Sequence, residues 1–288
     1  MIQARNKLSQ EELSEAKNLI NCCQAYDETY RDPYLSNMLN FDTNMPAFFL
    51  YYEKGELVGL LTVYADDPDV ELAILVHPNH RCQGIARALY RSFEKETASY
   101  PIESVTFQTE RIFLERHPDF ASNWGLVEDE ETETWLGKDR RPYPLANVSN
   151  LEVLLADRSY QDQISQLKFQ AFSEDHESRE VVDRYVAKAL KDPESLLYIL
   201  LKNGQVIGTC TVDLSSNTNY LFGLAIAELE RGKGYGTYLA KSLINQLIEQ
   251  NDKAFQIAVE DSNLGAKRLY EKIGFVKQTQ VVYLKAKV

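Results

Sequence analysis

The sequence predicts an α/β fold, with helices layered on a β-sheet, and predicts that this fold occurs twice in the chain. A short apolar run at residues 220–226 precedes a glycine-rich turn, and residues 238–248 then carry apolar side chains at helical spacing. The same order of hairpin, apolar strand, turn and helix occurs about 150 residues earlier. A chain of 288 residues also has the length of two such domains.

Each copy begins its sheet with a predicted hairpin, in which two apolar runs flank a short turn. In the first copy the sequence predicts a helix at 8–25, strands at 48–52, 57–64 and 70–76, and a helix ending near 97. In the second copy it predicts strands at 197–201, 206–212 and 220–226.

Matched residues support an internal duplication. At an offset of 149 or 150 residues, the following residues of the first copy recur in the second: Gly55, Gly59, Thr62, Val63, Arg81, Gly84 and Leu89. A polar stretch with two prolines separates the copies. The predicted boundaries are a first domain at 1–140, a linker at 141–150 and a second domain at 151–288.

The glycine-rich turn of the second copy is predicted to bind a diphosphate. Its glycines allow positive φ and close approach of the backbone to a ligand. The free amides and the dipole of the helix that follows favour an anion. A turn that serves chain geometry alone is the alternative. The residues of this predicted cradle are Arg231, Gly232, Lys233, Gly234, Tyr235, Gly236 and Thr237.

A second motif follows the turn at residues 263–275, with the form Asn-x-x-Ala-x-x-Leu-Tyr-x-x-x-Gly-Phe. In order and spacing, the two motifs resemble those of the Gcn5-related N-acetyltransferase (GNAT) superfamily. That family has Arg/Gln-x-x-Gly-x-Gly/Ala for the diphosphate of acyl-CoA, and Arg231, Gly234 and Gly236 fill this pattern. The resemblance covers residues 151–288 well and the first half more weakly. It implies two tandem domains, each with a central mixed β-sheet flanked by helices.

The resemblance also implies an activity, namely transfer of an acetyl group from acetyl-CoA to an amine in the C-terminal domain, with CoA as a product. It implies that the strand residues Leu224, Ala225 and Ile226 offer backbone groups to the pantetheine arm and the thioester oxygen. It further implies that Asn263 and Ala266 contact the cofactor, and that Tyr270 protonates the leaving thiolate.

The general base is not assigned by the sequence. Many family members carry Glu or Asp early in the central strand, whereas this strand begins Asn219-Tyr220. Four carboxylates are near in sequence, and nothing selects one of them: Asp213, Glu228, Glu230 and Glu260.

The first copy has lost most of these features. Its turn, Arg81-Cys82-Gln83-Gly84-Ile85-Ala86, keeps one glycine, and no tyrosine occupies the position that corresponds to Tyr270. We therefore expect the first domain not to catalyse, while weak CoA binding there stays open.

Composition excludes some classes of function and leaves others open. A net charge of −12 argues against non-specific binding to nucleic acids or anionic membranes. The absence of a long apolar run and of an apolar leader favours a cytoplasmic protein. The four cysteines and four histidines lack ligand spacing, so no metal site is expected.

The acceptor is expected to be the amine of a small molecule or a peptide. Its identity and the oligomeric state are not readable from the sequence. A non-catalytic module that binds CoA for regulation or interaction is the alternative from another class, and another acyl group is a third possibility.

Overall fold

A computed structural model describes residues 1–146, 148–172 and 179–287, and the chain forms two compact units. The first unit comprises Met1–Trp135 and Gln278–Val288, and the second comprises Leu136–Lys277. The residues from 278 onward therefore belong to the first unit, whereas the predicted second domain extends to 288. Residue 147 of the predicted linker and residue 288 lie outside the described residues.

The first unit has a mixed sheet with the strand order β1-β2-β3-β4-β5-β12-β6. In this sheet β4 and β5 run parallel, and the pairs β1–β2, β2–β3, β3–β4 and β5–β12 are antiparallel. Its elements are β1 (Ile2–Arg5), α1 (Gln10–Asp27), β2 (Phe48–Glu53), β3 (Glu56–Tyr64), β4 (Asp69–Val76), α2 (Ile85–Thr97), β5 (Ser104–Glu110), α3 (Arg111–Arg116), α4 (Phe120–Trp124), most of β6 (Leu126–Lys138) and most of β12 (Val276–Ala286).

The second unit repeats this plan with the strand order β11-β10-β9-β8-β7. Here β10 and β11 form the parallel pair and the other pairs are antiparallel. Its elements are β7 (Leu151–Leu155), α5 (Gln161–Phe172), α6 (Arg179–Ala189), β8 (Ser195–Lys202), β9 (Gln205–Asp213), β10 (Asn219–Ile226), α7 (Tyr235–Gln250), β11 (Phe255–Glu260) and α8 (Leu264–Lys272).

Local sequence explains both hairpins. Lys54-Gly55 and Asn203-Gly204 each have positive φ at both positions, at 51° and 89° and at 51° and 79°. Positive φ at both central residues is the signature of the type I′ turn, whose twist matches that of the flanking strands. The predicted hairpins are confirmed as β2–β3 and β8–β9.

The first helix begins at Gln10, two residues after the predicted start, with Ser9 as its N-cap. The Ser9 side chain accepts from the Glu12 amide and the Glu12 side chain accepts from the Ser9 amide, which together form a capping box. The helix ends at Asp27, and Glu28 follows as its C-cap in the left-handed conformation.

The last strand of the chain completes the sheet of the first unit. β12 pairs antiparallel with β5 from Val281–Glu110 to Lys285–Thr106. Val281, Val282 and Leu284 are each fully buried there. No helix in the three described ranges is long and apolar enough to span a lipid bilayer.

Candidate functional site

The glycine-rich turn of the second unit connects β10 to α7. A short 3₁₀ helix (Glu228–Glu230) comes first, and the chain then turns through Gly232 and Gly234 at φ values of 74° and 86°. A Cβ atom at either glycine would meet nothing within 4 Å, so open space lies beside both. The positive φ explains why glycine occupies these two positions.

The backbone amides of this turn are available to a ligand. The Arg231 amide donates to the Glu228 carbonyl, and the next intrachain donor is Tyr238, which bonds the Gly234 carbonyl inside the new helix. Within the described residues, the amides of 232–237 donate to no backbone carbonyl. Gly234, the N-cap of α7, provides no side-chain cap. A helix start with free amides is a ready anion site.

The two cationic side chains of the turn differ in whether a carboxylate pairs with them. Arg231 is exposed and donates from Nε to the Ile226 carbonyl at 3.0 Å, which leaves its two terminal nitrogens without a partner among the described residues. Lys233 instead lies 3.0 Å from the Glu230 carboxylate, which also pairs with Lys202 at 2.9 Å. Hydrogen bonds from Lys202 and Lys233 lower the pKa of Glu230. Arg231 is therefore the cation that is free to meet a phosphate.

The matching turn of the first unit has a similar backbone conformation, but its arginine is paired with a carboxylate. Arg81 donates from Nε to the Val76 carbonyl at 3.0 Å, as Arg231 does to Ile226. Its terminal nitrogens, however, form a bidentate pair with Asp27 at 2.7 and 2.6 Å. Asp27 is 5% exposed. An anion beside Arg81 would therefore meet a carboxylate that already neutralises the arginine.

Replacing Asp27 by Asn is expected to create a second anion site in the chain. The change removes the negative charge that faces Arg81, and the partial exposure of Arg81 lets water compensate its lost partner. Calorimetry with acetyl-CoA should then give two binding events per chain. Adding Gly84→Asp to this variant is the control and should abolish the added event. An unchanged stoichiometry in folded Asp27→Asn protein would contradict the assignment.

The central strand of the second unit, β10, has an irregular stretch in its second half. β10 pairs with β11 from Asn219 to Leu221, and its pairing with β9 is irregular between Phe222 and Ala225. Gly223 lies in this irregular stretch at a φ of 58°. The predicted backbone donors Leu224, Ala225 and Ile226 follow immediately. Their role toward a thioester stays a prediction.

The second motif forms α8 and its N-terminal cap. The Asn263 side chain accepts from the Ala266 amide at 3.0 Å, so both residues take part in capping the helix. A Cβ atom on Gly236 would lie 3.0 Å from Leu269 of the same helix. Gly236 thus serves the close packing of α7 against α8. A contact between Asn263 or Ala266 and the cofactor stays a prediction.

Tyr270 lies inside the core of the second unit. It is 6% exposed, and its ring lies 6.1 Å from that of Phe275. Burial raises the pKa of the phenol above its usual range, and the nearby Cys210 adds to this effect. Its hydroxyl has no hydrogen-bond partner within the described ranges. Tyr270 is therefore a protonated donor whose hydroxyl is unengaged.

Sequence reasoning missed Lys168 of α5. This side chain is 5% exposed, and its Nζ lies 2.7 Å from where a Cβ on Gly223 would be. Nζ donates to Thr211 Oγ1 at 3.4 Å. Burial lowers the pKa of Lys168 to about 8. No local pattern distinguishes a lysine that a helix directs into a core from one that it directs to solvent.

Sequence reasoning also missed a large cavity in the first unit. The cavity has a volume of about 710 Å³ and opens beside Arg81, where β4 and β5 stop pairing after Leu72. Arg31 and Gln108 line this cavity and form a hydrogen bond with each other, and Gln108 also bonds Glu71 of the central strand. Burial raises the pKa of Glu71 to about 7. The first unit therefore has a cavity and a carboxylate on its central strand.

Comparison with known proteins agrees with this geometry. The family model "Acetyltransferase (GNAT) family" matches residues 13–137 and 161–275. These two ranges cover most of the chain and fall one in each copy of the fold. The chain belongs to the GNAT acetyltransferase family, and the tandem arrangement predicted from the sequence is confirmed.

One sequence relative and two solved structures are similar to this chain over most of its length. Mycothiol acetyltransferase of Clavibacter sepedonicus is 25% identical over 230 residues, or 76% of this chain and 73% of the relative. A GCN5-related N-acetyltransferase from Sphaerobacter thermophilus has a TM-score of 0.70 at 16% identity, over 99% of this chain and 94% of that one. A tandem GNAT protein from the clavulanic acid biosynthesis pathway has a TM-score of 0.70 at 15% identity, over 100% and 99%.

Proposed function

We propose that this protein transfers the acetyl group of acetyl-CoA to an amine and that the reaction takes place in the second unit. The observation that carries the proposal is the turn at 231–237, where free amides lie beside an arginine that has no carboxylate partner among the described residues. A diphosphate carries negative charge that these donors match. The proposed acceptor is the amine of a small molecule or a peptide.

In this proposal, each requirement of acyl transfer is met by residues of the second unit. The amides of 232–237 and Arg231 hold the diphosphate. The backbone of Leu224 to Ile226 orients the pantetheine arm and polarises the thioester carbonyl, because donors aimed at a developing oxyanion stabilise it. Tyr270 donates its hydroxyl proton to the leaving thiolate. Asn263 and Ala266 hold the start of α8 against the cofactor.

A rival assignment places the reaction in the first unit. The cavity beside Arg81 and the central-strand carboxylate Glu71 favour it. The bidentate Asp27–Arg81 pair opposes it because the arginine is already neutralised. Thiol release measured with Glu71→Gln decides between the units. The proposal expects wild-type turnover in this variant, and a large loss would move the chemistry to the first unit.

A second rival, cofactor binding without turnover, comes from another class of function. Thiol release from acetyl-CoA over a panel of primary amines separates this rival from an enzyme. The proposal expects amine-dependent release, and the same panel with propionyl-CoA and succinyl-CoA tests the acyl group. Release that no amine increases would overturn the proposed activity and leave a binding module.

The protein is expected to bind one acetyl-CoA per chain with high affinity. Only the second turn presents an arginine without a carboxylate partner among the described residues, whereas Arg81 is held by Asp27. Isothermal titration of the wild-type chain gives the stoichiometry. Two equal sites per chain would contradict the division of roles between the units.

A further inference from the structure

The second unit holds a buried amine for which neither the sequence motifs nor the family resemblance gives a role. Lys168 points from α5 to the place where β10 leaves its regular pairing. Its Nζ occupies the space that a Cβ on Gly223 would need, at a distance of 2.7 Å. Alanine at 223 would therefore collide with the amine as well as strain the backbone at a φ of 58°.

The surroundings of Lys168 favour its neutral form. It is 5% exposed, and no carboxylate forms an ion pair with it in the described part of the chain. A buried ammonium needs about three hydrogen bonds, and among the described residues Nζ makes one weak bond, to Thr211 at 3.4 Å. Desolvation disfavours the charged form of an amine. Two aromatic rings offset part of the desolvation of the charged form through cation–π contacts. Their centroids lie 5.9 Å from Nζ at Phe172 and 5.5 Å at Tyr185.

Three titratable side chains lie around Lys168 in the described part of the chain, and none of them is a carboxylate. Cys210 of β9 is fully buried, and burial raises the pKa of its thiol. Tyr185 of α6 presents its ring to the amine. Tyr270 of α8 lies close enough to Cys210 for the thiol to raise the pKa of the phenol further, and Tyr270 is also protonated. Lys168 is therefore the group among the described neighbours that changes charge near neutral pH.

We propose that Lys168 is the general base of the reaction in the second unit, taking the proton of the acceptor amine beside the irregular stretch of β10. This inference rests on the proposed function. The nitrogen of Lys168 lies beside Gly223, one residue before the strand segment proposed to polarise the thioester, so it is near the proposed reaction centre. A base whose pKa is near the working pH is also the most effective. Lys168 thus takes the role of the general base, for which the central strand β10 offers no carboxylate.

The proton balance of the step is complete with the residues named. The acceptor R–NH₃⁺ gives one proton to the neutral Lys168 amine and becomes R–NH₂. The R–NH₂ nitrogen attacks the thioester carbon, the C–S bond breaks, and the thiolate takes the proton of Tyr270. The proton left on the new amide nitrogen returns to the Tyr270 phenolate through water. Lys168 releases its proton to solvent when the products leave.

Lys168→Met is the decisive variant. Methionine keeps the length and the apolar stem, and it removes an amine that is costly to bury, so the variant is expected to fold at least as stably as the wild type. The proposal expects kcat to fall by roughly 10²-fold or more with the Kd for acetyl-CoA unchanged. Lys272→Met, an exposed lysine of α8, is the matched control and should keep full activity.

The pH profile separates a base from a packing residue. In the wild type, kcat/KM should rise with pH and level off above an apparent pKa of about 8, because protonated Lys168 cannot accept a proton. The rise should occur at the same pH with the two most active amines of different basicity from the screen. In Lys168→Met this rise should be lost. Lys168→Arg should also fail as a base, because a guanidinium does not lose its proton in proteins.

Several results would overturn the proposal. One is a wild-type rate and an unchanged pH profile in Lys168→Met, which would remove the base and leave the proposed function intact. Full activity in Lys168→Arg would indicate a fixed positive charge instead. Stable acetylation of Lys168 in the mass spectrum after incubation with acetyl-CoA would make the amine a nucleophile. If the wild type releases no thiol with any amine, the proposed function itself fails.

Discussion

Replacing Tyr270 by Phe is expected to lower kcat by about 10²- to 10⁴-fold, the usual contribution of a general acid. The substitution removes only a hydroxyl that is proposed to protonate the thiolate. The ring and its packing against Phe275 remain, so the Kd for acetyl-CoA should not change. Thiol-release kinetics together with calorimetry measure the two quantities separately.

Tyr198→Phe is the matched control for this experiment. Tyr198 lies in the same core, is 2% exposed, and accepts a hydrogen bond from Gln250 at 3.2 Å. This substitution shows what the loss of a buried hydroxyl does to the unit in general. We expect Tyr198→Phe to leave kcat unchanged. Wild-type turnover in Tyr270→Phe would show that Tyr270 serves packing alone.

Gly234→Asp is expected to weaken acetyl-CoA binding at least tenfold, or by about 1.4 kcal/mol. Gly234 has a φ of 86° and open space beside it, so no neighbouring atom blocks the new side chain. The effect comes from a carboxylate placed against the diphosphate and from the strain of positive φ. Titration calorimetry on the folded variant gives the affinity.

The first unit provides a control with the same geometry. Gly84 has a φ of 82°, equally open space and the same position before a helix. Gly84→Asp should therefore carry a similar conformational cost and leave acetyl-CoA affinity unchanged. If the two variants weakened binding equally, or if neither did, the cofactor would not be held at the second turn alone.

The sequence was sufficient for features whose cause is local. Both hairpins depend on Lys54-Gly55 and Asn203-Gly204, adjacent residues whose φ values can be anticipated from their type. The turn at 231–237 is equally local, since Gly232 and Gly234 adopt the positive φ that the sequence predicts. For the same reason the duplicated fold could be predicted before any contact was known.

Features that depend on distant contacts could not be predicted. The pair between Asp27 and Arg81 joins residues 54 positions apart, so Arg81 looked as available as Arg231. Lys168 owes its burial to the packing of α5 against β9 and β10, which a single lysine in a helical pattern does not reveal. Asn263 was assigned to the cofactor, and its capping bond to the Ala266 amide became visible only with the helix in place.

The contribution of β12 to the first unit has a consequence for how the chain is made. A ribosome synthesises the chain from the N terminus, and domains generally fold as they emerge. The second unit is therefore synthesised before the strand that covers β5 exists. Until then β5 presents an unpaired edge, which is a template for aggregation. The N-terminal unit finishes folding last, and a fragment that stops after its own helices would lack a strand of its sheet.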